Sequence, residues 1–327
     1  MKNNIAAFVN AAALLEVDEF ASSNPELAAD LKYVFSLGDP SRGKTELLFE
    51  CGKAFNINRQ TLLPFAMAAE LMMASAMNDD DIIDGNESRY GSKPLYLLKG
   101  IPTAMMVSGY TYGLLFSILK KYRPPASDRF FNGYLKSEDL LVEYFRLMHD
   151  GQYSTTREVN FQSYGLCDLH NLAFKKAGLL YQFCLSVPAY LAGIDATKLE
   201  EFGCKLGIAI QFQSDIRDFI KNPDDPDKPD LRFEDYLTGQ PNLVMLIAKE
   251  HLRGAEKTWL IESWSRKKEK NCNKVVALIE KSNATKTSIA YLQEKQVELK
   301  KIIGQKFSSL YQISLYHFLH NLVKNLC

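Results

Sequence analysis

The chain has 327 residues, of which 46% are hydrophobic, enough to bury a large core and to exclude disorder of the whole. Its 39 basic and 39 acidic residues cancel, which excludes a nucleic-acid binder held by bulk charge. No apolar run is long enough to span a membrane, and the six cysteines form no metal-binding or redox spacing; both fit a cytoplasmic protein with reduced thiols.

The N-terminus, Met1 to Phe20, lacks a basic leader and reads as an amphipathic helix. Asn24-Pro25-Glu26 is a helix start, with a cap, a proline at the first helical position and an early acid; Gly38-Asp39-Pro40 is the stop. Apolar residues recur every three or four positions over 59–83, 103–121, 137–155, 170–192, 197–221, 241–251, 256–281 and 286–323. Alternating β-branched segments between Asn-Gly or Asp-Gly turns are missing, so the expected fold is all-α. The predicted organisation is one domain over 1–327, interrupted by an acidic, proline-rich loop at 221–235 placed near the site.

Two helical stretches end in acids. On the first, Asp80 and Asp84 share a face with Asp81 beside them. Carboxylates crowded on an apolar helix repel one another, and a hard divalent cation with oxygen ligands removes that cost. On the second, Gln211, Ser214, Asp215 and Asp218 share a face and offer four oxygen ligands. Between them stands Lys175, a charge on an otherwise apolar helix.

Asp80-Asp81-x-x-Asp84 followed by Arg89, then Lys175 with Ala177, then Gln211 to Asp218, resembles the trans-isoprenyl diphosphate synthase family. The resemblance takes in Arg42-Gly43-Lys44 and Asp235 to Leu243, and so nearly the whole chain. It implies a bundle of ten or more helices around a central cavity, usually a homodimer. It also implies Mg²⁺, or Mn²⁺ in its place, as three ions bridging the acids to an allylic prenyl diphosphate. Under it, Asp80, Asp81, Asp84, Gln211, Ser214, Asp215 and Asp218 hold metal, Arg89, Lys175 and Lys44 hold diphosphate, and Asp80, Asp81, Asp84, Arg89 and Lys175 are catalytic. The resemblance also implies that Ser75 and Ala76, with Met72 deeper, form the cavity floor, and their small side chains leave room for a fifteen- or twenty-carbon chain.

The sequence departs from that pattern mainly at the second substrate site, for isopentenyl diphosphate. Gly43-Lys44-Thr45 has lost an arginine, Met73 stands where a histidine is usual, and Tyr90 stands where a second arginine follows Arg89. Each lost charge-assisted bond removes roughly 1.5–3 kcal/mol. In the allylic site, Ser214 replaces an aspartate, and Gln240 replaces a lysine. The expectation is therefore a terpene synthase that ionises a prenyl diphosphate and cyclises or rearranges it. Its alternatives are condensation with isopentenyl diphosphate, prenyl transfer to another acceptor and, last, a non-catalytic subunit. Phe174, Tyr181 and Phe212 are candidates to stabilise a carbocation.

Overall fold

Val9, Ala13 and Val17, one turn apart and wholly buried, carry the first helix, α1 (Lys2–Phe20). The Asn24 side chain accepts the Leu27 amide at 3.1 Å and Pro25 opens α2 (Pro25–Ser36), as the cap residues predict. There follow α3 (Gly43–Ala54), α4 (Arg59–Asp84), the short α5 (Leu95–Lys99), α6 (Ile101–Tyr122), α7 (Phe131–Thr156) and α8 (Leu166–Ala173). A π-helical turn (Phe174–Gly178) joins α8 to α9 (Leu179–Leu191), and α10 (Thr197–Arg217) comes next. The chain continues with α11 (Glu234–Thr238), α12 (Leu243–His251), α13 (Gly254–Ser263), α14 (Cys272–Ser282) and α15 (Ala284–Lys306).

This computed structural model describes residues 2–38, 43–157, 159–221, 233–264 and 270–306, and among them there is no strand. Arg42 and most of the acidic loop read at 221–235 lie outside the described residues. The stretch 256–281, read as one helix, is two: Asn271 accepts the Lys274 amide at 3.0 Å and restarts the chain as α14.

The chain forms two compact units, Met1–Phe145 with Leu180–Glu200 and Arg146–Leu179 with Glu201–Cys327. In the first, α4 packs along α6. Phe65 of α4 meets Tyr134 with ring centroids 4.6 Å apart and Phe183 at 6.3 Å. Burying such a ring contributes about 1.5–3 kcal/mol. In the second unit, Trp264 stacks on Phe161 at 4.4 Å, and the buried Lys249 ties that segment down by donating to the carbonyls of Phe161 (3.2 Å) and Tyr164 (2.6 Å). Phe212 lies wholly inside, edge-on to His170 at 4.9 Å and near Tyr291 at 6.0 Å, so it packs the core of this unit.

Candidate active site

The last turns of α4 present two faces. Met73, Ala76, Met77, Asp80 and Asp84, spaced three and four apart, form a half-buried stripe that runs from apolar to acidic. The opposite face is closed against α6. There Ser75 Oγ donates to the Ser108 carbonyl at 3.1 Å, and Asn78 Nδ2 donates to the Ala104 carbonyl at 3.0 Å and to Ser108 Oγ at 2.8 Å. Tyr112 extends this ladder by donating to Asp79 Oδ2 at 2.8 Å. Of the three residues expected to floor a cavity, Ala76 lies on the half-buried stripe, whereas Ser75 and Met72 are fully buried off it. Met73 and Met77 share the stripe with Ala76.

Beyond α4 the chain turns back at once. Arg89 and Ser92 exchange both backbone bonds (2.8 and 3.1 Å) across Tyr90 and Gly91, whose φ values are +50° and +78°. Positive φ at both central positions defines a type I′ turn, which suits Gly91 and strains Tyr90 by about 1–2 kcal/mol. The turn aims Arg89 back at the helix end. Its Nε and a terminal nitrogen donate to Asp81 Oδ1 at 2.9 and 2.5 Å, and the guanidinium lies 3.7 Å from Asp80. Asn86 donates to the same Asp81 oxygen at 3.0 Å. Burial alone would lower the pKa of Arg89; the bond to Asp81 and the charges of Asp81 and Asp80 outweigh it and move it upward. Asp80, Asp81 and Arg89 thus come together. Lys44 is buried near the start of α3, where its charge reaches Tyr144 and Cys184.

The second acidic motif is built differently. Asp215 Oδ1 accepts from Gln211 at 3.0 Å, and Oδ2 accepts from the Leu243 amide at 3.0 Å, the first of α12. Asp218 accepts the amides of Glu234 (2.8 Å) and Asp235 (3.2 Å), the first of α11. Each aspartate therefore caps a following helix. Asn242 locks the pair of helix starts by donating to the Asp215 carbonyl (3.0 Å) and to Asp235 Oδ2 (2.7 Å). Asp215 and Asp218 are 2% and 4% exposed, and Ser214 faces solvent. Burial, and then the Asp235 carboxylate, raise the pKa of Asp215 well above the carboxylate range, while Gln211, the Leu243 amide and Lys176 pull it back. Lys175 pairs with Asp150 at 2.5 Å, which draws the Asp150 carboxyl down.

Among the described residues no three His, Cys, Asp or Glu side chains converge as a ready metal centre. The donor chemistry nonetheless fits a hard cation. Asp80 and Asp84 carry carboxylate oxygens one turn apart on a half-buried face, and Asp215 and Asp218 are carboxylate oxygen donors of the second motif. Asn86 and Lys176 were not singled out from the sequence, and Asp235 and Asn242 entered only as part of the stretch Asp235 to Leu243. Gln240-Pro241-Asn242-Leu243 does carry a readable signal, an N-cap asparagine ahead of an apolar run.

An all-α chain with a helix ending in paired carboxylates shares its fold with solved prenyl diphosphate synthases. A geranylgeranyl pyrophosphate synthetase from Geoglobus acetivorans superposes with a TM-score of 0.80 at 22% identity, covering 99% of both chains. A decaprenyl diphosphate synthase from Rhodobacter capsulatus superposes at 0.84 with 15% identity over 100% of both. The family model described as polyprenyl synthetase matches residues 24–282, and the chain belongs to that family. In sequence it is 25% identical to a geranylgeranyl diphosphate synthase of Methanosarcina mazei over 233 residues, 69% of this chain and 68% of that one. It is 30% identical to a geranylgeranyl pyrophosphate synthase of Geoglobus acetivorans over 156 residues, 47% of each. The chain is thus an enzyme of the isoprenyl diphosphate synthase family; the cyclase expected from its substitutions finds no support among these relatives, whose names describe synthases.

Proposed function

We propose that the protein is a prenyltransferase that condenses an allylic prenyl diphosphate with isopentenyl diphosphate, making a product of the geranylgeranyl diphosphate class. The observation that carries this is the stripe on α4, where the apolar Met73, Ala76 and Met77 run into Asp80 and Asp84 with Arg89 alongside. A prenyl chain lies along the apolar part and its diphosphate reaches the acids. Asp80 and Asp84 would hold Mg²⁺, which would supply positive charge to a departing diphosphate. Arg89, released from Asp81, holds the diphosphate by paired hydrogen bonds. The allylic C–O bond breaks with its electron pair leaving on diphosphate, the acceptor's double bond forms the new C–C bond, and a proton is lost. Ala76 leaves the stripe open where a larger side chain would shorten the product.

Transfer to an acceptor other than isopentenyl diphosphate is a second reading, favoured by Tyr90 at the exposed tip of the turn beside Arg89. Association of two copies and a single-domain organisation also belong to the proposal; exposed Ile101, Met105 and Met106 on α6 support the former. No described helix is long and apolar enough to cross a membrane. The test is incubation with Mg²⁺ and ten-, fifteen- or twenty-carbon allylic diphosphates, with and without isopentenyl diphosphate. Elongated diphosphates that require isopentenyl diphosphate are expected, and hydrocarbons formed without it, beyond a no-enzyme control, overturn the reading.

A further inference from the structure

Three consecutive acids, Asp79, Asp80 and Asp81, stand in the last turns of α4, and each points about 100° from the next. Asp81 is met by Arg89 and Asn86, and Asp80 lies on the half-buried stripe. Asp79, also half-buried, sits where that stripe meets the face closed against α6. There the Tyr112 hydroxyl donates to Asp79 Oδ2 at 2.8 Å. The ring that carries this hydroxyl is buried and seated edge-on against Phe145 of α7, with centroids 4.9 Å apart. Phe145 in turn meets Phe116 of α6 edge-on at 5.9 Å, so the ring is held from both helices. Burial, and then the charge of Asp79, push the pKa of Tyr112 up, so its proton stays in the bond. The rungs made by Ser75 and Asn78 along the same contact end on carbonyls and a hydroxyl; the rung of Tyr112 ends on a charge.

We propose that Tyr112 is a positioning residue of the first acidic motif: through Asp79 it draws a neighbouring carboxylate toward α6, and so leaves the metal-binding face with two carboxylates, Asp80 and Asp84. This rests on the proposed function for the use of that face. Magnesium at a phosphate-bearing substrate is held by one or two carboxylates, with substrate oxygens and water completing a strict octahedron. A further carboxylate swung over from Asp79 would add negative charge to the face and take a position that the diphosphate needs. Metal would then bind more tightly without substrate and serve the substrate less well. The Tyr112 hydroxyl opposes that arrangement, and the same ring without its hydroxyl does not.

The experiment titrates Mn²⁺, in place of Mg²⁺, onto the full chain without substrate, reading free ion by its paramagnetic resonance signal. Beside it stand kcat and KM for the allylic substrate with isopentenyl diphosphate present. The proteins are the unaltered chain, Tyr112→Phe, Asp79→Asn, the double variant and Ser108→Ala. Tyr112→Phe is expected to bind Mn²⁺ about three- to tenfold more tightly, while kcat falls about tenfold and KM changes less. Asp79→Asn still accepts the Tyr112 hydroxyl and brings no charge to the face, so it and the double variant bind Mn²⁺ as the unaltered chain does. Ser108→Ala removes the neighbouring rung; it lowers the melting temperature and leaves Mn²⁺ affinity where it was, which separates loosened packing from a displaced carboxylate. If Tyr112→Phe melts early, Tyr112→Met is judged by the same readings below its own melting temperature. Equal Mn²⁺ affinity in the folded variant and the unaltered chain, or no Mn²⁺ binding by either, overturns the proposal. Tightening that persists in the double variant overturns it as well. Tightened Mn²⁺ binding in Tyr112→Phe, with no elongation of any prenyl diphosphate by the unaltered chain, would sink the proposed reaction and leave this assignment standing.

Discussion

The two acidic motifs use the same residue type and satisfy it in opposite ways. At the end of α4 the charge of Asp81 is met by a side chain, Arg89, whose guanidinium can change partners, and Asp80 and Asp84 stay half-buried. At the end of α10 the carboxylates of Asp215 and Asp218 are met by backbone amides at the starts of α12 and α11, which cannot leave without loosening those helices. The first motif is thus separable from the fold, whereas the second is part of it. A carboxylate held by a side chain is available for chemistry at little structural cost; one held by a helix terminus contributes to stability whether or not a ligand is present.

The comparison breaks most visibly under substitution of the acids. Asp80→Ala should reduce kcat by about 10²–10³, the scale for removing one preorganised electrostatic group, with no change in melting temperature. Asp215→Ala should lose activity and also about 1–3 kcal/mol of stability, because the Leu243 amide and Gln211 lose their buried acceptor; urea unfolding separates the two effects. Should both variants melt alike, the distinction between the motifs fails.

A smaller effect is expected at the turn beside the first motif. Tyr90→Asn places in the left-handed region a residue that tolerates it, and should stabilise the fold by up to about 1 kcal/mol, read as a shift in urea midpoint at constant slope. The smallest concerns pH. Burial, and then Lys295, lower the pKa of His170, whose Nε2 lies 2.6 Å from the Tyr291 hydroxyl. A group whose folded pKa lies below its unfolded value of about 6.5 leaves stability intact at higher pH and removes it as pH falls below that value, because the unfolded chain takes up the proton first. Melting temperatures from pH 8 to pH 5 should therefore fall less steeply in His170→Phe than in the unaltered protein.

Much of the helical order was legible because it follows from spacing and caps. The reading of 59–83 as one helix falls within a residue of the ends of α4, where Asn58 accepts the Thr61 amide at 2.8 Å and the apolar period never breaks. Asp80 and Asp81 follow from helical spacing, whereas Arg89 was legible only through the family resemblance; a turn with glycine at its second central position brings the arginine back. The expected floor shows the limit. Ser75 and Ala76 are adjacent, so a helix sends their side chains about 100° apart; Ala76 lies on the stripe that leads to Asp80, and Ser75 is buried off it. Which of the two lies there depends on Ser108 across the α4–α6 contact, a partner that local spacing cannot supply. The π-helical turn was equally invisible, since Phe174–Gly178 continues the apolar pattern on both sides, and with it went the difference between Lys175 and Lys176. The caps made by Asp215 and Asp218 join segments separated by the acidic loop, so a reading of α10 alone finds ligands where the chain also needs acceptors.

Under the proposed function, the pairing of Arg89 with Asp81 has a consequence for how a diphosphate would enter. The resting helix end carries its own counter-ion, covalently attached and held by a turn. An arriving anion meets no bare cation; it has to take the guanidinium from a carboxylate, and that carboxylate is then left with a charge to be met from elsewhere. Loading is in this sense an exchange of salts. Under the proposed function, anion and metal would each be poorly received alone and well received together, so the first motif would respond to the pair before it responds to either one.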